Sequence, residues 1–156
     1  MARWGGHEVE FLLSANPGQA PRSLSRIASG GELSRIMLAL KSVLARADFT
    51  GTLIFDEVDA GISGGMAEIV GRKLRALGES HQVLCVTHLP QIAALAAEHV
   101  RVAKAVEAGQ TYTRAEMLDG EGKVREVARL LSGLDVSDHS VRSAEEMVQR
   151  GQRPPL

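Results

Sequence analysis

Apolar positions along this chain change their spacing several times, and each change marks an element. Leu33, Ile36, Met37, Leu40, Leu44 and Ala47 recur at helical spacing, with Arg35, Lys41 and Ser42 off that face, which predicts a helix over about residues 31–47. Residues 52–56 (Thr-Leu-Ile-Phe-Asp) form a continuous apolar run after Gly51. Such a run suits a strand buried on both faces, as in a parallel sheet. Met66, Ile69, Val70, Leu74 and Leu77 return to helical spacing and predict a helix ending near Gly78, with Gly71 inside it. Residues 82–87 (Gln-Val-Leu-Cys-Val-Thr) are a second continuous run. Strand, helix, strand is a βαβ unit, which is right-handed in nearly all proteins.

The flanks are less regular. Residues 8–14 read as a strand, Asn16-Pro17-Gly18 as a turn and 18–28 as a loop. A short helix is expected after Leu89-Pro90, with Pro tolerated in the first turn. Residues 99–106 and 111–117 flank Ala108-Gly109 and predict a hairpin. Val124, Val127, Ala128 and Leu131 give a helix stopping near Gly133, and 137–149 a last helix before a frayed end at 152–155. The pattern describes an α/β fold, a mostly parallel sheet flanked by helices with a small β-hairpin, and contains no internal repeat.

Composition narrows the class. At 156 residues and 44% hydrophobic the chain has the size and apolar content of one globular domain. No run approaches the ~18 apolar residues of a membrane helix, and Phe11-Leu12-Leu13, preceded by Glu8 and Glu10, is too short for a signal peptide. A single cysteine excludes an internal disulfide and fits a reducing compartment. A net charge of −1 gives no global electrostatic case for nucleic acid, and Trp4, Phe11, Phe49, Phe55 and Tyr112 are too few for a base-stacking platform. Phe55 is read as core, Met37, Met66, Met117 and Met147 as packing, and Cys85 as a buried small apolar residue. His7, His81, His99 and His139 receive no role. Sixteen glycines are the unusual feature.

Chemistry collects at strand ends. In open α/β sheets ligands bind beyond the carboxyl ends of the strands. The first predicted strand ends in Asp56-Glu57 and the second in Thr87-His88. Alternation along an extended chain sends Asp56 and Glu57 in different directions, so their roles should differ. One reading is a magnesium and water site: Mg²⁺ takes one or two carboxylates and keeps several waters. Asp56 would hold the ion, Glu57 would orient or deprotonate a water, and His88 would touch the substrate. The bland alternative is a pair of solvated loop acids.

Ser29-Gly30-Gly31-Glu32 stands directly before the 31–47 helix. Ser29 and Glu32 fit a capping box. The cap leaves the glycines unexplained, since each costs ~0.8–1 kcal/mol relative to Ala inside a helix. Glycines here let another molecule approach the backbone, and bare N–H groups at a helix N-terminus attract anions, phosphate above all. Gly61-Ile62-Ser63-Gly64-Gly65 matches the nucleophile elbow Gly-x-Ser-x-Gly, with Asp119 and His139 downstream in the needed order. An elbow needs its Ser at the turn from strand to helix, and Ser63 comes seven residues after Asp56, so Ser63 is better read as a helix cap. A P-loop is missing: Gly122-Lys123 is followed by Val124, and Met117 occupies the first glycine position.

Read together, these pieces resemble an ABC-type ATPase. Ala28-Ser29-Gly30-Gly31-Glu32-Leu33-Ser34 resembles the signature motif, and Thr52-Leu53-Ile54-Phe55-Asp56-Glu57 resembles the Walker B strand with its catalytic Glu. Val58-Asp59-Ala60-Gly61 falls where the D-loop falls, and Val86-Thr87-His88 resembles the switch histidine. Asn16-Pro17-Gly18, the run from Ile27 to Arg35, the run from Asp56 to Gly64, Thr87-His88-Leu89-Pro90-Gln91-Ile92-Ala93, and Arg125 to Gly133 are together similar to the RecN family. These are bacterial DNA-repair ATPases related to the SMC proteins. The likeness covers about residues 8–150.

The resemblance implies that 1–156 is the C-terminal lobe of an ATPase head, with the N-terminal Walker A lobe and the coiled coil absent. It implies ATP and Mg²⁺ as cofactors. Two heads would sandwich ATP, with Ser29, Gly30 and Gly31 capping the γ-phosphate in trans. Glu32 stands where transporters usually have Gln. Asp56 would bind Mg²⁺ through water, Glu57 would position or activate the attacking water, His88 would contact the γ-phosphate, and Asp59 would communicate across the dimer. The implied partners are the N-terminal lobe, a second copy and DNA, with no membrane, in the cytoplasm on the nucleoid. The chain alone should hydrolyse little ATP. Two rivals are a metal-dependent hydrolase acting alone through Asp56, Glu57 and His88, and a non-enzymatic module that recruits DNA ends or proteins.

Overall fold

The computed structural model describes residues 9–14, 18–26, 29–45, 47, 49–107 and 109–152. The expected turn residues Asn16 and Pro17, the residues Ile27 and Ala28 before the signature-like glycines, and the chain end from Arg153 lie outside the described residues.

The first ordered unit is smaller than expected. Within the described residues 9–14 of the expected strand, β1 spans Leu12–Leu13 and runs antiparallel to β2 (Arg22–Ser23), with the Leu24 N–H donating to the Phe11 carbonyl beside it. The expected 18–28 loop therefore contains a strand, followed by a 3₁₀ turn at Leu24–Arg26. Helix α1 spans Gly30–Leu44. It leads to β3 (Thr52–Phe55), α2 (Gly64–Leu77) and β4 (Gln82–Cys85). β3 and β4 pair in parallel, Thr52 opposite Gln82 and Phe55 opposite Cys85, which is the expected βαβ unit. A short α3 (Pro90–Ala93) carries Pro90 in its first turn. The hairpin is longer than expected, β5 (His99–Glu107) against β6 (Gln110–Leu118), and α4 (Gly120–Ser132) and α5 (Asp138–Gln152) close the chain. The parallel component is thus one pair of strands among the described residues, accompanied by two antiparallel pairs.

Two apolar clusters hold these elements. Leu38 of α1, Leu53 and Phe55 of β3, Val58, and Ala67, Val70 and Leu74 of α2 form the first. Ala93 and Ala94, Val127 and Ala128 of α4, and Ala144 and Val148 of α5 form the second. Gly71 has a packing reason: a methyl group there would come within 2.6 Å of Leu95 Cδ1 and 3.3 Å of Ile92 Cα. The bare helix surface is what admits α3.

The parallel pair differs from the sequence expectation. Leu53 and Phe55 point into the core, but on the other face Ile54 is 70% exposed, Leu84 49%, and Val86, just beyond β4, 62%. A continuous apolar run reports that both faces are apolar, not that the fold covers both. Met37, Met66 and Met117 are likewise exposed, against their reading as packing, whereas Met147 does pack against the second cluster. Ser63 occupies the cap position of α2 without making a side-chain cap bond.

Candidate nucleotide-facing site

The site is assembled where three segments meet. The first is the start of α1. Ser29 is extended and its hydroxyl accepts the Glu32 N–H at 3.4 Å, which is the capping half of the predicted box. Gly30 and Glu32 are exposed and Gly31 is buried. One turn on, Ser34 Oγ donates to the Asp56 carbonyl at 2.7 Å, and Arg35 Nη1 donates to the carbonyls of Val58 (3.2 Å) and Ala60 (2.7 Å). The start of α1 is therefore bolted to the loop after β3.

That loop is the second segment. Asp56 Oδ1 accepts the Glu57 N–H at 2.9 Å, and the Ala60 N–H returns to the Glu57 carbonyl at 2.9 Å. Glu57 has φ +56°, the only non-glycine residue in the left-handed region among the described residues. Such a conformation costs on the order of 1–3 kcal/mol and persists only where surroundings impose it. Here Ser34, Arg35 and the 57–60 turn fix the peptides on either side. Val58 is fully buried, while Asp56 and Glu57 are exposed.

The close approach explains the glycines. A methyl group on Gly31 would lie 2.8 Å from Ala60 Cβ, 2.9 Å from the Glu57 carbonyl oxygen and 3.0 Å from that of Ala60. On Gly30 it would collide with Glu57 Oε2. Gly31 is needed by the chain itself, since it meets backbone atoms, whereas at Gly30 the neighbour is the movable Glu57 carboxylate, which lies over it.

The third segment follows β4. Val86 N–H donates to the Phe55 carbonyl at 3.0 Å, carrying the pairing one residue past the strand. Asp59 is 5% exposed. Its Oδ2 accepts from Thr87 Oγ1 (2.7 Å) and from the His88 backbone N–H (3.0 Å), and lies 3.1 Å from His88 Nδ1. Burial alone would push the Asp59 carboxyl up, but the bonds from Thr87 and His88 and the charge of the His88 ring outweigh it and hold the group below its ordinary value. The His88 side chain is 75% exposed. Asp56, Glu57 and His88 thus stand at the same end of the parallel pair, as their strand positions imply, with the start of α1 beside them.

Chemically this is a surface with two exposed carboxylates, an imidazole and a glycine-rich helix N-terminus. Among the described residues no group of three or more His, Cys, Asp or Glu side chains could hold a metal ion by itself. Two neighbouring carboxylates still fit Mg²⁺, which keeps waters and shares substrate phosphates. Arg35, read from the sequence only as a position off the apolar face of the 31–47 helix, is half-buried and holds the loop after β3.

Other polar burial lies outside this site. Lys123 Nζ donates to the Ala96 carbonyl and Arg75 Nη1 to that of Leu95 (2.9 Å), so two cations cap the end of α3. They line a cleft of about 490 Å³ with His99 and Glu145, to which no candidate site residue contributes. His99 Nδ1 is buried without a hydrogen-bond partner among the described residues.

No family model matches the chain. It is 50% identical over 145 residues to the DNA repair protein RecN of Xylella fastidiosa, covering 93% of this chain and 26% of that protein. It is 51% identical over 150 residues to RecN of Treponema pallidum (96% and 26%) and 44% identical over 142 residues to RecN of Bacillus subtilis (91% and 25%). The chain spans about a quarter of the length of the curated relatives it matches. A solved structure from work on ATP-driven dimerization and DNA-stimulated activation of SMC ATPases shares the fold, with a TM-score of 0.51, 17% identity, and coverage of 80% of this chain and 81% of that one.

Proposed function

We propose that this chain, by sequence a segment of the RecN family, forms the C-terminal lobe of an ATP-hydrolysing head that acts in DNA double-strand break repair and recombination. One observation carries the reading: Asp56, Glu57 and His88 follow the carboxyl ends of the two paired parallel strands, with the glycine N-terminus of α1 against Glu57. The relatives' name, DNA repair protein RecN, supports the process, and the SMC ATPase fold supports the chemistry.

The roles follow from the groups available. Ser29, Gly30, Gly31 and Glu32 form the edge that would meet the γ-phosphate of ATP bound in a second head, through N–H groups at the positive end of the α1 dipole. Asp56 would hold Mg²⁺ through water, and the ion, when bound, neutralises phosphate charge. Glu57 orients or deprotonates the attacking water. His88 contacts the γ-phosphate. The loop around Asp59 communicates between the heads of a homodimer. The Walker A contribution comes from the N-terminal lobe of the same protein, and the exposed apolar face of Ile54, Leu84 and Val86 supports coverage of that kind. DNA is the substrate partner of the whole protein, in the cytoplasm on the nucleoid.

Turnover of the chain should be near background alone and appear when the N-terminal lobe is added. Robust hydrolysis by the chain alone would sink this reading. In the assembled head Glu57→Gln should slow hydrolysis and leave ATP-dependent dimerisation intact; an unchanged rate would remove Glu57 from its role.

A further inference from the structure

We infer that Asp59 is a positioning residue for His88: its buried carboxylate holds the His88 backbone N–H, faces Nδ1 of the ring and keeps the neutral ring's proton there, leaving Nε2 outward at the carboxyl end of the parallel pair. This role serves the phosphate-contacting reading of His88 given above and rests on it.

The geometry leaves little freedom. Three atoms lie within 3.1 Å of a single oxygen, Asp59 Oδ2. Two are identified as donors. The His88 backbone N–H is one. The Thr87 hydroxyl is the other, because Thr87 Oγ1 already accepts the Leu89 N–H at 3.1 Å and its proton is free to point at Asp59. These two bonds fix the carboxylate. The third atom, His88 Nδ1, faces the same carboxylate at 3.1 Å as an ion-pair contact without the alignment of a third hydrogen bond, and the negative charge beside it favours a proton on Nδ1 over one on the distant Nε2. In histidine the bond made by one ring nitrogen decides the state of the other. With the proton on Nδ1, Nε2 bears the lone pair in the neutral ring and becomes a donor only in the cation. A donor to a phosphate oxygen therefore exists at Nε2 only when the ring is protonated, and the Asp59 carboxylate is the charge that faces that cation.

Burial and exposure divide the labour. Asp59 is 5% exposed while the His88 side chain is 75% exposed. A ring so open to water would sample several rotamers without a tether. Asp59 sits in the loop whose backbone is held by Arg35 of α1. The tether is thus rigid at its protein end and leaves the far edge of the ring accessible.

Ring ¹⁵N spectra of the labelled chain test this directly, at a pH where the ring is neutral. The wild-type chain should show His88 as the Nδ1–H tautomer, and Nε2–H in the wild type would overturn the inference without any variant. Asp59→Ala should shift His88 toward the Nε2–H form of free imidazole. Thr87→Ala, which removes a different donor from the same oxygen, should leave Nδ1–H in place; loss of Nδ1–H there would mean that the whole turn, not Asp59, sets the ring. In the assembled head, the loss of ATP turnover caused by Asp59→Ala should shrink when His88 is already alanine, since the part of Asp59 that acts through the ring is then gone. Fully additive losses in the double variant would mean that Asp59 does not act through His88. If His88→Ala turns over at the wild-type rate, the functional reading of His88 fails and Asp59 has no reaction to serve. If His88→Ala is impaired while wild type is Nε2–H, only the positioning role fails.

Discussion

Gly31→Ala tests the contact on which the site is built. Alanine removes the glycine penalty at a helix position, a gain of up to ~1 kcal/mol. Against it stand three collisions, Ala60 Cβ at 2.8 Å and the carbonyl oxygens of Glu57 and Ala60 at 2.9 and 3.0 Å. Two of the three are backbone atoms that no side-chain rotation can move. Inserting a carbon into a filled site costs ~1–3 kcal/mol, and immovable neighbours argue for the upper part of that range. The net expectation is a loss of about 1–2 kcal/mol, or a fall of very roughly 2–8 °C in Tm for a chain of this size. Gly65→Ala is the internal control. It is also in the first turn of a helix, with no atom within 4 Å of the added carbon and no left-handed backbone. It should be neutral or slightly stabilising. Thermal unfolding followed by circular dichroism measures both variants side by side. Gly31→Ala equal in stability to Gly65→Ala would show that α1 and the 57–60 loop are not in close contact at Gly31.

Three further outcomes follow from named contacts. Arg35→Ala removes both bonds to the Val58 and Ala60 carbonyls and should cost about 1.5–3 kcal/mol, read as a lower urea midpoint at unchanged slope. Asp59 and Glu126 both sit below their ordinary carboxyl values, Glu126 chiefly through its bonds to Arg129. Their stabilisation is present above the unfolded carboxyl range and is lost as pH falls through the lower folded values. The Tm should therefore drop on acidification below about pH 4.5, and Glu126→Gln should flatten that slope. Burial, with Asp59 and Asp56 nearby, pushes the Cys85 thiol up to about 11. At pH 8 its thiolate fraction is then about one in a thousand, against about one in four for a free thiol of pKa ~8.5. Alkylation should be correspondingly slow in the folded chain and rapid in urea.

What the sequence disclosed and what it withheld divide along physical lines. Helical spacing located α1 and α2 because each carries an apolar stripe, and periodicity reports the stripe without its cover: Val70, Leu74 and Leu77 of α2 are buried, whereas Leu33, Met37, Leu40 and Leu44 of α1 are exposed. The convergence of Asp56, Glu57 and His88 followed from two parallel strands alone. The tertiary reason for Gly30 and Gly31 did not, because the loop that touches them lies more than 25 residues away and nothing in a local pattern names a distant neighbour. Asp56, Glu57 and Asp59 look alike on paper. Only the fold shows two of them in water and the third buried against Thr87 and His88. The inner sheet residues were foreseen, but the open face of Ile54, Leu84 and Val86 was read as buried, since an apolar run carries no record of what covers it.

That open face lies on a sheet of only two strands among the described residues. Thr52–Phe55 and Gln82–Cys85 contain no charged side chain, and each has one edge whose backbone groups are paired with no other strand there. Uncharged, flat edges of this kind are templates for strand addition between molecules. The chain on its own should therefore lose solubility with rising concentration, and a lysine at Ile54 should delay its self-association more than a lysine at an already charged surface.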